Sequence, residues 1–179
     1  MIIDDSQRLS FALIAPDDAQ TLFELDQDPA VMQYINGGKI STMDDIVNVM
    51  LPRMNTYRNP DKGWGLYKVV VKQSDEYIGW VLVRPMDFFS DNVQWDNLEL
   101  GWRFKQSSWG KGYATEAAKT IMNHLAQHKG YRHFCAIAEP DNTASLKVME
   151  KLGMKYMHTS IHKDPLGDVE AAYYQIDLV

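Results

Sequence analysis

A single cysteine in 179 residues means that no internal disulfide staples this chain. The chain also lacks positive charge: 18 Lys and Arg against 24 Asp and Glu leave a net charge of −6. Nucleic acid is bound through a basic field, so it is not an expected partner. A mildly acidic surface instead suits a cation, such as an amine or a basic peptide. No apolar run reaches the ~18 residues of a membrane span, and no basic segment followed by an apolar stretch opens the chain. No membrane partner is therefore expected, and the expected location is cytoplasmic. Repeats, low-complexity tracts and linkers are absent too, which predicts one domain over residues 1–179. No H-E-x-x-H motif occurs. His124 and His128 stand four apart on the polar face of a predicted helix, with no third ligand nearby in sequence. They read as a solvated face, and no metal is expected. Cys135, within His-Phe-Cys-Ala-Ile, reads as a buried core thiol.

What is present centres on Leu98 to His128. Leu98–Phe104 is rich in aromatic and branched residues and reads as a strand. A polar turn and Gly110-Lys111-Gly112 follow. Then Ala114, Ala117, Ala118, Ile121, Met122 and Leu125 recur at helical spacing, forming the apolar face of a long helix. A strand, a glycine turn and a helix N-terminus together make an anion site. The first helical amides lack intrahelical acceptors, and the dipole adds partial positive charge. Gly110 and Gly112 bring no Cβ, and Lys111 adds a full charge. Two familiar phosphate loops are excluded. Lys111 sits between the glycines rather than after them, as a Walker loop requires, and Thr115 stands where a dinucleotide fingerprint needs Gly or Ala.

Upstream, Arg8–Ala15 reads as a strand and 17–26 as a helix. Ala30–Ile35 and a segment from Ser41 or Thr42 read as further helices, the last kinked or broken at Pro52. Trp64–Lys72 and Tyr77–Pro85 form a predicted hairpin, and 86–97 a loop carrying Phe88, Phe89 and Trp95. Downstream come a strand at Tyr131–Ala138, a helix over 142–152 closed by Gly153, and strands at Met154–His162 and Val169–Leu178. This order predicts an α/β (α+β) domain, a mixed and mostly antiparallel central sheet with helices on both faces.

The run Trp109-Gly110-Lys111-Gly112-Tyr113-Ala114 resembles the acyl-coenzyme A loop of the GCN5-related N-acetyltransferases, [QR]-x-x-G-x-[GA]. Trp109 replaces the usual glutamine or arginine. The continuation Thr115-Glu116-Ala117 looks most like the branch containing ribosomal-protein alanine N-acetyltransferases. The resemblance implies acetyl-coenzyme A as cosubstrate, an amine acceptor, and coenzyme contacts from Trp109, Gly110, Lys111, Gly112, Tyr113 and Ala114. A second family pattern, N-x-x-[AS]-x-x-x-Y-x-x-x-G-[FM], is matched by Asn142, Ser145, Gly153 and Met154. It implies that Asn142 and Ser145 lie near the thioester sulfur. Met149 stands at the usual tyrosine acid and cannot donate a proton.

Amine acylation needs a proton acceptor for the nitrogen and a donor for the leaving thiolate. Glu99, sharing a strand face with Gly101 and Arg103, is the candidate base. Its other reading is a structural carboxylate. Ser145, a hydroxyl on the apolar stripe of Val148, Met149 and Leu152, is the candidate donor, with water as the alternative. A plain structural reading bonds its hydroxyl to a carbonyl one turn back. Glu116, in the first helical turn, is explained by the dipole. Asp44, Asp45, Asp87, Asp91 and Asp96 flank the expected acceptor entrance and suit an amine, either a protein N-terminus or a small molecule. Two other functions compete: a coenzyme A-binding regulatory module with weak catalysis, and an interaction domain anchored by Phe88, Phe89 and Trp95. Those aromatics otherwise read as loop packing or a homodimer contact.

Overall fold

Alternating apolar runs become seven strands: β1 (Leu9–Leu13), β2 (Gly65–Val71), β3 (Glu76–Met86), β4 (Gln94–Phe104), β5 (His133–Ala138), β6 (Lys155–His162) and β7 (Val169–Asp177). A computed structural model describing residues 2–179 joins them in one sheet, ordered β1-β2-β3-β4-β5-β7-β6. Every pairing is antiparallel except β4 with β5. Helices α1 (Ala19–Leu25), α2 (Pro29–Asn36), α3 (Met43–Asp45) and α4 (Leu51–Tyr57) precede the hairpin; α5 (Tyr113–Lys129) and α6 (Thr143–Lys151) follow β4 and β5.

The two faces bury separate cores, as the mixed-sheet reading expects. Ala117, Ala118, Ile121 and Leu125 of α5 and Met149 of α6 pack on Leu98, Leu100, Val81, Val83 and Phe134. Leu22, Leu25, Val31, Ile46, Leu51 and Met54 pack on Leu66, Trp80 and Leu82 on the other face. Strand alternation divides β3 and β4 between these cores. Gly79 permits the close approach of β3 to β4, because a Cβ there would sit 2.2 Å from the Arg103 carbonyl. No helix among the described residues is long and apolar enough to cross a membrane.

Two local expectations need correction. Pro52 does not break its helix. Residues 43–57 run on through a widened turn, Ile46–Met50, where the Leu51 amide donates to the Ile46 carbonyl. That i→i−5 turn directly precedes Pro52, so the ring and its missing N–H are absorbed as a local widening of the helix rather than a break. The predicted 86–97 loop is shorter, because β3 extends to Met86 and β4 begins at Gln94. Its polar residues Gln94, Asp96 and Asn97 conceal strand pairing from a hydrophobicity pattern.

The feature that positions the site is how briefly β4 and β5 pair. Only Asn97, Leu98 and Glu99 meet His133, Phe134 and Cys135, yet β4 continues to Phe104 and β5 to Ala138. Beyond Glu99 the strands part, and their facing backbone groups no longer form a ladder.

Candidate active site

The glycine turn sits at the wide end of this gap. Gly110 and Gly112 have φ of 73° and 78°, and Gly112 is the N-cap of α5. Both conformations are left-handed, so both positions suit glycine. A Cβ at Gly110 would meet nothing within 4 Å, and one at Gly112 only Arg8 Nη2 at 3.6 Å. The space before the α5 amides is therefore open, as an anion site requires. The Trp109 ring is about half exposed, and its Nε1 donates to the Phe104 carbonyl at 2.9 Å.

Arg8 belongs to this turn and was not foreseen. Its Nη1 donates to the Lys111 carbonyl at 3.0 Å, and its guanidinium lies 4.5 Å from the centre of the Tyr113 ring. Glu116 holds it there, accepting from Arg8 Nε at 2.6 Å, the Arg8 amide at 2.9 Å and Ser6 Oγ at 2.7 Å. Desolvation works to raise the Glu116 carboxyl, but these donors outweigh it and hold it below the usual range. Glu116 is thus a latch for the N-terminal segment, beyond the dipole role expected of it.

On the α5–α6 face of the gap stands Ser145. Asn142 caps α6, its Oδ1 accepting from the Ser145 amide at 3.2 Å. The Ser145 hydroxyl does not bond to a carbonyl one turn back. Its Oγ accepts from Trp102 Nε1 at 3.3 Å, so Trp102 of β4 bridges to α6 across the gap. Among the described residues the Ser145 proton has no protein acceptor, which leaves the hydroxyl free to donate. Met149, one turn on, is 1% exposed and lies in the core.

Glu99 occupies the opposite face, sharing it with Gly101 and Arg103 as expected; these residues register against Arg84, Leu82 and Trp80. Glu99 is 5% exposed, and its Oε2 accepts from Arg84 Nε at 2.7 Å. Its Oε1 accepts no hydrogen bond among the described residues and is not sealed from solvent. Desolvation works to lower the Arg84 guanidinium's affinity for its proton, but the Glu99 carboxylate outweighs it and the net direction is up. Tyr57 and Phe89 cover that guanidinium at 5.5 and 5.4 Å, and burial pushes the Tyr57 phenol up to about 12. Farther along the face, Arg103 Nη1 meets Asp26 Oδ1 at 2.6 Å, joining β4 to the end of α1. Cys135, opposite Glu99, is fully buried, and burial pushes its thiol up, so it is a core residue as expected.

Phe88 and Phe89 pack edge-on against Tyr57, the loop packing foreseen for them. Trp95 stacks on Trp64 at 6.0 Å while remaining about half exposed. Of the acids expected to flank the acceptor entrance, Asp45 is engaged in a capping box with Thr42. Asp87 accepts from Gln94 Nε2 at 2.8 Å and faces His162 Nδ1 at 3.8 Å. Arg53 pairs with Asp164 at 2.5 Å, joining α4 to the β6–β7 loop beside them. The solvated-face expectation fails for His124, which is 8% exposed because the N-terminal segment folds over it.

A family profile described as an acetyltransferase (GNAT) domain matches residues 8–155. The chain is 30% identical over 159 residues to the uncharacterized protein YkkB of Bacillus subtilis, covering 86% of each. It is 26% identical over 158 residues to the FsC-acetyl coenzyme A-N(2)-transacetylase of Aspergillus fumigatus, covering 87% of this chain and 66% of that one. A GNAT-family acetyltransferase structure from Bacillus anthracis superposes with a TM-score of 0.76 at 25% identity, over 99% of this chain and 98% of the other.

Proposed function

This chain belongs to the GNAT acetyltransferase family, and from that premise we propose that it moves an acetyl group from acetyl-coenzyme A to a primary amine by direct attack in a ternary complex. The observation that carries the reading is the open glycine turn of α5 at the mouth of the β4–β5 gap. The residues there fit an acyl-coenzyme A. The amides from Gly110 to Ala114 would hold the pyrophosphate, Lys111 and Arg8 would supply charge, and Trp109 and Tyr113 would offer side-chain contacts beside it. The β5-facing backbone groups of β4 beyond Glu99 would offer hydrogen bonds to an extended arm in the gap. Acetyl-coenzyme A supplies an activated thioester when bound. Residues 1–179 act as one such domain.

Glu99 and Ser145 lie on opposite faces of the sheet, at either side of the parting strands. That placement suits the reaction, in which the amine approaches from one side and the thiolate departs on the other. The nitrogen forms its bond to the carbonyl carbon as the carbon–sulfur bond breaks. Glu99 Oε1 takes the amine proton through a water, and Arg84 holds the other oxygen. The Ser145 hydroxyl, oriented by Trp102, donates toward the sulfur, and Asn142 sets the turn that presents it.

The name of the Aspergillus relative places its acetyl group on a nitrogen, which supports an amine acceptor here. The acids around the entrance support it too. The acceptor is a protein N-terminus, as the ribosomal-protein branch resemblance suggests, or a small-molecule amine. A thiol-release assay with acetyl-coenzyme A and a panel of N-terminal peptides, amino acids, polyamines and aminoglycosides tests this. Acceptor-dependent release is expected. Coenzyme A binding without release across the whole panel would leave a regulatory module, and no thermal stabilisation by coenzyme A would sink the family site itself.

A further inference from the structure

Outside the gap, the N-terminal segment brings a third ligand to two histidines of α5. His124 and His128 are one turn apart on the helix, with ring centres 4.3 Å apart. Asp4 lies against them, its Oδ2 3.3 Å from His124 Nδ1. One ligating atom from each residue falls within 4.8 Å of the other two, and among the described residues no other such cluster of three occurs. Asp4 is carried there by the Ser6 and Arg8 contacts to Glu116, two turns earlier on the same helix. Beside the cluster lies a groove of about 480 Å³, lined by Ser6, Glu116, Thr120, Asn123 and Gln127.

We infer that Asp4, His124 and His128 form a binding site for a divalent transition metal, zinc by chemistry. Two imidazoles and a carboxylate are a borderline-soft donor set. Calcium and magnesium prefer six or more oxygen ligands, and of these three side chains only the Asp4 carboxylate offers oxygen. Three protein ligands leave a fourth tetrahedral position, and the polar groove has room for the water that fills it. Ligand atoms about 2.0–2.1 Å from zinc are roughly 3.4 Å from one another. The Asp4–His124 pair already has that spacing, and the His128 ligand atom lies within 4.8 Å of both. Zinc would fasten the N-terminal segment to α5 about two to three turns beyond the latch that Glu116 makes in the first turn. Arg8, which that latch orients toward the glycine turn, is thereby held more firmly.

The test is calorimetric titration of the chelator-treated full chain with zinc sulfate alone, with no acetyl-coenzyme A. One zinc per chain and a rise in melting temperature are expected. His128→Ala and Asp4→Asn alter exposed side chains and leave the core untouched, and each should raise the zinc dissociation constant at least about tenfold. His133→Ala, which disturbs the other exposed His–Asp pair, should change nothing. Absence of saturable binding overturns the site. Unchanged affinity in either Asp4→Asn or His128→Ala also overturns it, because the three-ligand geometry then plays no part. Activity does not enter the measurement, so the result is independent of the acceptor and of catalysis.

Discussion

Two side chains carry the proposed proton transfers, and each has one occupied partner and one free valence. Ser145 accepts from Trp102 and keeps its own proton to donate. Ser145→Ala should lower turnover about 10- to 100-fold, the usual range for one positioned donor, with acetyl-coenzyme A affinity unchanged. The interaction grows only as the sulfur becomes negative, so a matching loss of ground-state affinity would assign Ser145 to binding instead. Glu99 has Arg84 on one oxygen and, among the described residues, no donor on the other. Glu99→Gln keeps the shape but cannot take a proton. Its turnover should fall most at low pH, where the amine most needs deprotonation. A pH–rate profile identical to wild type would make the Arg84–Glu99 pair purely structural.

At the scale of elements, α5 serves both core and site. Its Ala, Ile and Leu face anchors it to the sheet, and its first turn faces the gap. Gly112→Ala forces an L-side chain into a left-handed backbone at a cost of about 1–2 kcal/mol. It should lower the melting temperature slightly and weaken coenzyme A binding, read by calorimetry. Wild-type affinity in the folded variant would move the cofactor elsewhere. On the other face, Arg103 and Asp26 tie β4 to α1 with both side chains buried. Removing one partner strands a buried charge, so Asp26→Ala should cost about 3–5 kcal/mol in denaturant unfolding. Replacing both with apolar residues should cost less, and equal losses would show that the charge is not what matters.

Across the whole molecule, residues 2–8 form no strand or helix, and buried Ile3 and polar contacts to α5 hold them in place. Glu116 is the chief of these, and its carboxyl lies below the ordinary value of 4.5 when folded. A depressed folded value means the stabilisation is fully present above pH about 4.5. It is lost as pH falls through the lower folded value. Glu116→Gln should therefore flatten the acid limb of stability against pH, measured as denaturant midpoints between pH 3 and 6, a range of about three units set by that linkage. An unchanged limb would place the acid sensitivity in other carboxylates.

What the chain determines by itself is what local periodicity carries. The 3.6-residue repeat from Ala114 to Leu125 sets α5 and its buried face. Alternation sets the strands, and the glycines at 110 and 112 mark the proposed anion turn before any packing is known. The family motifs add the cosubstrate. Tertiary structure decided the pairings between distant residues: Trp102 with Ser145 across 43 residues, Arg8 with Glu116 across 108, and Asp4 with the α5 histidines. None of these has a periodic signal, because each partner is an ordinary polar residue on its own element. The brevity of the β4–β5 ladder was equally hidden. β4 has apolar residues directly on each side of Glu99, at Leu98 and Leu100, and β5 is apolar from Phe134 to Ala138. Only their divergence in space, with α5 and α6 packed on one face, leaves the gap open.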